Sequence, residues 1–186
     1  MNVVRTAAQA AAELSNVLSR IDEGSVQTLV DSALKARKVF FTGCGRSLLA
    51  LRGIAMRFMH IGLQVHVVGD VTTPAFTGSD LLIVGSGSGE TSSQINFATK
   101  AKSTGGKVAL ITTKPQSTMA DLSDFLVVIP AMVERAGGKE LAPPTLPGGT
   151  LFEESMLVLG DAMILDMAEK RAFEVGERFP LHANLE

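Results

Sequence analysis

A run of alternating glycine and serine follows a short apolar segment near the middle of the chain. Residues 81–84 are all apolar and too few for a free-standing helix, so they predict a strand buried on both faces of a parallel sheet. Residues 85–89 alternate glycine with serine, and Glu90 and Thr91 open a helix-like segment. Glycines let a backbone approach a ligand closely, and a helix N-terminus presents N–H groups at the positive end of its dipole. The pattern predicts a cup for a dianionic phosphate on a small molecule.

Two other kinds of phosphate-binding loop lack their defining residues here. A P-loop needs a Gly-Lys-Ser/Thr sequence, and no lysine lies near this run. The dinucleotide-binding fingerprint needs a third glycine where this chain has Glu90, whose carboxylate would repel a pyrophosphate unless its side chain turned away. On spacing alone, a Gly/Ser-rich surface turn without a ligand is the alternative.

A second glycine-containing turn follows the first predicted strand. Gly43 and Gly45 lack the third glycine of the dinucleotide fingerprint, because Leu48 stands there. NAD binding is therefore disfavoured, although Asp70 could have served as the ribose-binding acid of that motif. Ser47 is interpreted as a helix-start hydroxyl that faces the ligand cleft, a role compatible with capping that helix.

Glu153 lies in the first turn of a long helix that we predict over residues 150–172. With Thr150 it forms a capping-box pattern, and this purely structural role is the one that spacing alone favours. A carboxylate in a first helical turn is also kept ionised by the helix dipole, as a proton-abstracting base must be. The residues themselves leave both roles open for Glu153.

The histidines and the single cysteine suggest no metal site and no cofactor. His60 precedes Gly62 at a predicted helix end, where a histidine often only complements the helix dipole. The three histidines are scattered, and no Cys/His/Asp cluster has the spacing of metal ligands. Cys44 is interpreted as a small packing residue and has no cysteine partner for an internal disulfide.

Composition narrows the class of protein. The 186 residues contain 17 Lys+Arg and 19 Asp+Glu, and a net charge of −2 provides no basic field for nucleic acid. No apolar run approaches the length of a membrane span, and the N-terminus lacks the apolar core of a signal peptide. A lone cysteine fits a reducing compartment. We expect a cytoplasmic, globular, single-domain protein that uses neither membrane nor nucleic acid as a partner.

Five short apolar runs alternate with helical segments at short connection lengths. This order predicts an α/β fold, a doubly wound three-layer αβα sandwich with a five-stranded parallel sheet. Ligands of such sheets bind beyond the carboxyl ends of the strands, where both glycine turns fall. The predicted segments are N-terminal helices in 1–37, a sheet core in 38–130, a lid-like loop in 131–149, the long helix in 150–172 and a tail in 173–186.

The helices carry three further expectations. The first helix should end near Gly24, and Ser25 should cap the second. Both are interpreted as packing or subunit-contact elements, because a DNA-binding helix-turn-helix would want more basic residues on its second helix. The long helix is apolar nearly all round, which predicts that it is buried, with a subunit interface as the cover.

These landmarks resemble the sugar isomerase (SIS) domain, and more closely the 6-phospho-3-hexuloisomerases of bacteria and archaea. The GSGSGET run is typical of the SIS class, whereas the GTLFE segment and the HANLE tail are typical of the narrower family. The similarity spans nearly the whole chain. The matching stretches are residues 42–47, 55–62, 68–70, 82–91, 98–103, 149–153 and 182–186.

The resemblance implies isomerisation of D-arabino-hex-3-ulose 6-phosphate to D-fructose 6-phosphate, by a homotetramer without a metal, after formaldehyde is fixed onto ribulose 5-phosphate. It assigns Glu153 as the proton acceptor, which overturns the capping role that spacing favours. His60 and His182 become candidates to polarise the carbonyl or move oxygen protons, from the same subunit or a neighbouring one. The substrate-binding residues that it implies are Ser47, Ser86, Gly87, Ser88, Gly89, Glu90 and Thr91.

The chain departs from the family at three places. Cys44 and Leu48 stand where the family usually has Ala and Gly, and the loop over residues 134–147 differs as well. Two alternatives accompany the main interpretation. One is another SIS isomerase that acts on an aldose phosphate, and the other is a non-catalytic sugar-phosphate sensor. Glu153 weighs against a sensor, because a sensor needs no carboxylate at the carbons of its ligand.

Overall fold

The computed structural model describes residues 2–131, 144–171 and 181–185. Within these ranges the helices and strands follow one another in the alternating order that the sequence predicts. In chain order they are α1 (Val3–Leu18), α2 (Glu23–Lys35), β1 (Val39–Gly43), α3 (Gly45–His60), β2 (Val65–Val67), β3 (Leu81–Gly85), α4 (Ser92–Ser103), β4 (Lys107–Thr112), α5 (Thr118–Leu122), β5 (Phe125–Val128) and α6 (Thr150–Lys170).

The five strands form one parallel sheet in the order β2-β1-β3-β4-β5. This confirms the doubly wound α/β fold. The strand order reverses between β1 and β3, which makes their junction the topological switch point where such sheets bind ligands. In the register of this pair, Gly43 lies opposite Gly85, so the two glycine turns leave the sheet side by side.

Alternating side chains of the strands face two different helix layers, as the twofold period of a strand requires. Phe41 and Ile83 belong to the larger core, which they share with α1, α2, α3 and α6. Phe40 and Leu82 belong to the smaller core, which they share with α4 and α5. The sandwich therefore has the three predicted layers, and the sheet is buried on both faces.

Helix α6 is only partly covered in the single chain. Its Phe152, Met156 and Met163 are buried in the larger core. On its outer side Val158 is 43% exposed and Leu165 is 61% exposed. In the single chain only the side that packs on the core is covered, so the expected cover of the outer side by a neighbouring subunit stays a prediction.

Two helix boundaries also differ from the predictions. Helix α2 begins at Glu23 because the Asp22 carboxylate caps it, accepting a hydrogen bond of 2.7 Å from the backbone N–H of Ser25. Gly24 therefore lies inside this helix instead of ending the first one. Asp and Ser are equally good capping residues, and the earlier one prevails here. Helix α4 begins at Ser92 with Thr91 as its N-cap, so Glu90 is outside it.

Of the lid-like loop predicted over 131–149, residues 132–143 lie outside the described part, as do 172–180 of the C-terminal region. Residues 144–149 lead into α6, and the Thr145 backbone N–H donates a hydrogen bond of 3.0 Å to the Glu13 carboxylate of α1. Among the described residues, no helix is both long and apolar enough to cross a membrane.

Gly160 provides a test of the close packing between α3 and α6. A Cβ at this position would lie 2.4 Å from Cγ1 of Ile54, a β-branched side chain that is buried in the core. We expect Gly160→Ala to lower the free energy of unfolding by about 1–2 kcal/mol, because overpacking costs more than the helix propensity gained. Urea denaturation measures the change.

Gly53→Ala is the matched control, since its Cβ would meet only the end of the Leu157 side chain, at 3.1 Å. Combining Gly160→Ala with Ile54→Ala should cost less than the sum of the two single changes, because the smaller side chain makes room for the new methyl group. Equal stability of the two glycine variants would contradict this account of the helix contact.

Candidate active site

The site is built on a very close approach of two backbone turns. A Cβ on Gly43 would lie 3.1 Å from the carbonyl oxygen of Gly85, its partner in the neighbouring strand. A Cβ on Gly85 would lie 2.9 Å from Cδ1 of Leu51 and 3.0 Å from Sδ of Met156. Glycine at both positions therefore lets the start of α3, the start of α6 and the two turns meet at one sheet edge.

The serine-rich loop after β3 is folded on itself by its own hydroxyls. Ser86 is buried, and its Oγ accepts a hydrogen bond of 3.2 Å from the backbone N–H of Gly89. The same Oγ lies 3.4 Å from Oγ1 of Thr91. Gly89 has a φ of 66°, and a Cβ there would lie 2.1 Å from Oγ of Ser117, so only glycine fits. The loop is a preformed turn.

The N-terminus of α4 opens onto this loop. Thr91 is its N-cap but makes no side-chain capping hydrogen bond. The first N–H groups of a helix have no partner within the helix, and they point toward whatever lies at the positive end of its dipole. Together with the exposed Ser88, this arrangement suits a phosphate group.

The side chain of Glu90 turns away from the loop. Its Oε1 accepts a hydrogen bond of 2.9 Å from the backbone N–H of Thr118, at the start of α5. This backbone bond, with help from the Thr118 side chain, lowers the pKa of Glu90, and burial opposes the effect. Because the Glu90 carboxylate is turned away from the loop, it would not repel an anion bound there.

The end of β4 fixes the loop from the other side. The carbonyl oxygen of Gly87 accepts hydrogen bonds from the hydroxyl of Thr113, at 2.8 Å, and from that of Thr112, at 3.2 Å. These contacts orient the peptide between the two serines. Sequence reasoning missed both threonines, although their place at the carboxyl end of a predicted strand was a signal for them.

A buried glutamine joins the two glycine turns. Gln94 of α4 is 2% exposed, and its Oε1 accepts a hydrogen bond of 2.9 Å from the Thr42 hydroxyl. Its Nε2 donates to the Gly43 carbonyl oxygen and to Sγ of Cys44, each at 3.3 Å. Cys44 is exposed and is the N-cap of α3, so it is not the buried packing residue predicted from the sequence.

Helix α6 brings Glu153 to the same edge. The ring of Phe152 lies 3.4 Å from the Cβ position of Gly87, so the first turn of α6 packs directly under the serine-rich loop. Glu153, the next residue, has a side chain that is 13% exposed. The capping box is not formed, because the N-cap is Gly149 and no side chain caps this helix. The Thr150 hydroxyl donates instead to the Pro147 carbonyl oxygen, at 2.7 Å.

The partner of Glu153 is an arginine that sequence reasoning did not single out. Nε of Arg46 lies 2.5 Å from Oε2 of Glu153, and its NH2 group lies 3.9 Å from Oε1 of Glu154. The hydrogen bond and charge of Glu153 raise the pKa of Arg46. Ser47, the predicted substrate-binding hydroxyl, follows Arg46 in the first turn of α3 and is half-buried.

His60 is not brought to this cluster within the chain. It is the last residue of α3, whereas Arg46 is the second, and a helix rise of 1.5 Å per residue separates them by roughly 21 Å. His60 is buried, and its ring stacks on that of His182 with the centroids 5.1 Å apart. Burial lowers the pKa of His60, and His182 and Arg57 lower it further. His60 thus lies at the helix end that the sequence predicts, with Arg57 as a second basic residue in the same last turn.

Among the described residues, no group of three His, Cys, Asp or Glu side chains could hold a metal ion. Asp70, the residue considered for binding a ribose, instead forms an ion pair of 2.6 Å with Arg52 of α3. What the described part of this edge assembles is a loop with the features of an anion site, which contains no cation, and the Glu153 carboxylate beside it. This combination suits proton transfer on a phosphorylated small molecule.

The chain is similar to several known proteins. The family model for the SIS domain matches residues 34–145. The 3-hexulose-6-phosphate isomerase of Mycobacterium gastri is 40% identical over 94% of this chain and 86% of its own. That of Bacillus subtilis (strain 168) is 38% identical over 94% of both chains. A Methanococcus jannaschii crystal structure from which a molecular function of 3-hexulose-6-phosphate isomerase was inferred has a TM-score of 0.81 and 30% identity, covering 96% of this chain and 97% of its own.

Replacing Gln94 with Leu tests whether the buried amide holds the two turns together. The change leaves the buried Thr42 hydroxyl without its acceptor, so we expect the free energy of unfolding to fall by about 1–3 kcal/mol. Urea denaturation measures it. The exposed Gln9 of α1 provides the control, as Gln9→Leu should change little. Adding Thr42→Val to Gln94→Leu should recover part of the loss, and strictly additive effects would argue against the contact.

Proposed function

Since the chain belongs to the SIS domain family, we propose that it is an isomerase that converts D-arabino-hex-3-ulose 6-phosphate to D-fructose 6-phosphate. The main support is the position of Glu153. The contact of Phe152 with Gly87 places this carboxylate beside the neutral loop that we propose binds the phosphate. Relatives that are 38–40% identical over most of the chain carry the name 3-hexulose-6-phosphate isomerase, which supports this substrate. The reaction would follow the fixation of formaldehyde onto ribulose 5-phosphate in the ribulose monophosphate pathway.

In this proposal the serine-rich loop binds the phosphate of the substrate. The hydroxyls of Ser47, Ser86, Ser88 and Thr91 and the first N–H groups of α4 provide the hydrogen bonds. Gly87 and Gly89 permit the close approach of the backbone. Glu90 contributes by its backbone, because its carboxylate is bonded to the start of α5.

Glu153 is the proposed general base. It takes the proton from C2, which the neighbouring C3 carbonyl acidifies, and the electron pair of the C–H bond moves toward the C3 oxygen. The resulting 2,3-enediolate receives the same proton back at C3, while the proton of the C2 hydroxyl passes to the C3 oxygen, so that C2 becomes the new carbonyl and C3 carries the new hydroxyl. Atoms and electrons balance without an oxidant or a metal. A base in this position typically accelerates such a step on the order of a hundred- to ten-thousand-fold.

His60 and His182 are the proposed carriers of the oxygen protons. Because α3 holds His60 at the far end from Glu153, they would act on the site of a neighbouring subunit in a homotetramer. The exposed apolar residues of α6, Val158 and Leu165, supply surface for such an assembly. A neutral imidazole can both donate and accept a proton, which is what transfer between two oxygens needs. We expect the enzyme to work in the cytoplasm.

Glu153→Gln is the decisive variant. We expect it to lower kcat by at least about a hundredfold, because the amide cannot take the C2 proton. A coupled assay for fructose 6-phosphate, with the 3-hexulose phosphate generated in place, measures the rate. Glu154→Gln is the control, since Glu154 is the next residue on α6 and its side chain is 41% exposed. Its activity should stay near that of the wild type.

Three other outcomes would change the conclusion. Full activity of Glu153→Gln would leave this residue without a chemical role. Wild-type protein that converts an aldose phosphate instead would favour another SIS isomerase. Wild-type protein without turnover, but with a melting temperature that fructose 6-phosphate raises, would favour a sugar-phosphate sensor.

Mixing two inactive variants tests whether Glu153 and His60 of one active site come from different subunits. If Glu153 and His60 of one site come from different subunits, tetramers assembled from Glu153→Gln and His60→Ala chains should regain roughly a quarter of wild-type activity, the share of sites with both groups intact. Co-expression with two affinity tags isolates the mixed assembly. No recovery would place both groups in one chain. Full activity of His60→Ala alone would remove His60 from the mechanism.

A further inference from the structure

Arg46 stands where helix energetics disfavour a cation. It is the second residue of α3, in the first turn, where the positive end of the helix dipole repels a guanidinium. Helix stability therefore does not explain an arginine here. Arg46 instead contacts α6, where its Nε–H donates a hydrogen bond to the carboxylate of Glu153, 107 residues away in sequence.

The geometry of this pair leaves one carboxylate oxygen for chemistry. Oε2 of Glu153 is held by Nε of Arg46 at 2.5 Å. Oε1 lies beside the backbone of Gly149, 3.5 Å from the position that a Cβ would take there. The side chain of Arg46 is 60% exposed, whereas that of Glu153 is 13% exposed. An exposed arginine is thus tied to a largely buried carboxylate at the site.

We propose that Arg46 is the positioning residue of Glu153, holding one oxygen so that the other faces the substrate carbons. The inference rests on the proposed isomerase function. When Oε1 takes the C2 proton, Oε2 becomes the carbonyl oxygen of the neutral acid and still accepts the hydrogen bond from Nε. Arg46 therefore need not move during the reaction.

Charged groups around Glu153 come from three elements. Arg46 approaches from α3, and Glu154 follows on α6 at 3.9 Å from the same guanidinium. On the serine-rich loop Glu90 is directed to the start of α5. Of these three groups only Arg46 touches the Glu153 carboxylate, which makes it the group to change.

A competing role for Arg46 is direct binding of the substrate phosphate, for which a guanidinium is well suited. The two roles differ in their kinetic effect. Loss of a phosphate ligand weakens binding of substrate and of inorganic phosphate. Loss of a positioning residue lowers kcat and leaves phosphate affinity unchanged, because a misplaced base slows only the chemical step.

The experiment compares Arg46→Gln and Arg46→Lys with Arg52→Gln in the coupled assay. Arg52 is a matched control, since it lies on the same helix and pairs with Asp70 at 2.6 Å, away from the site. We expect Arg46→Gln to lower kcat roughly ten- to a hundredfold with KM changed less than about threefold. Arg46→Lys should recover part of kcat, because it keeps the charge but not the fixed Nε–H. Arg52→Gln should match the wild type.

Three further readouts exclude a merely structural role. The melting temperature of Arg46→Gln should stay within a few degrees of the wild type, because the helix dipole gains from the loss of the cation and the introduced glutamine can still donate a hydrogen bond to the largely buried Glu153 carboxylate. In the reverse reaction, fructose 6-phosphate with deuterium on C3 should show a larger isotope effect for Arg46→Gln than for the wild type. Titration with inorganic phosphate, followed by calorimetry, should give equal Kd values for both proteins.

Unchanged kcat in Arg46→Gln, or a loss matched by weaker phosphate binding, would overturn the positioning role and leave the isomerase function intact. Wild-type protein without turnover would overturn the function, and this inference with it.

Discussion

The constraint on which the site depends is the contact of two backbone turns at the switch point of the sheet. The parallel register puts Gly43 of β1 beside Gly85 of β3. There is no room for a Cβ between these two strands, or between β3 and the helices α3 and α6. Leu51 and Met156 fill that space from α3 and α6. Because Gly43 and Gly85 have no side chains, α3 and α6 can both pack against these turns, and the two helices begin at the same edge of the sheet. The positions of the serine-rich loop, the first glycine turn and the proposed catalytic carboxylate therefore all depend on one steric condition.

The electrostatics of the edge follow from that geometry. An anion site made of hydroxyls and a helix N-terminus is neutral, so the described loop attracts phosphate by dipoles and hydrogen bonds. Two carboxylates nevertheless lie close to it. Glu90 is satisfied by the start of α5, and Glu153 by Arg46. Each carboxylate thus has a donor of its own, which lets an anionic ligand and an anionic base occupy the same small volume without an uncompensated charge.

Local patterns in the sequence were enough for the fold and for the position of the serine-rich loop. Five apolar runs identified the strands, and the alternation of glycine with serine identified the turn that we propose binds the phosphate. Local patterns failed where distant residues compete with them. Thr150 and Glu153 form a perfect capping box in sequence, yet the carboxylate pairs with Arg46, which only the folded sheet brings near. Gln94 and Thr113 likewise act across strands and helices. Long-range hydrogen bonds of this kind have no periodicity to detect.

Helix α3 links the site to the oligomer that we propose. Its first turn carries Arg46 and Ser47, and its last residue is His60, so a rigid helix keeps these groups apart in every state of a single chain. No closure of a loop can bring the histidine to the carboxylate of its own subunit without breaking that helix. His60 therefore either takes no part in the chemistry or serves the site of another copy. The stacking of its ring on that of His182, the other histidine in a segment that matches the family, is the observation that favours the second role. An imidazole suits this role, because its two nitrogens can donate and accept protons between oxygens.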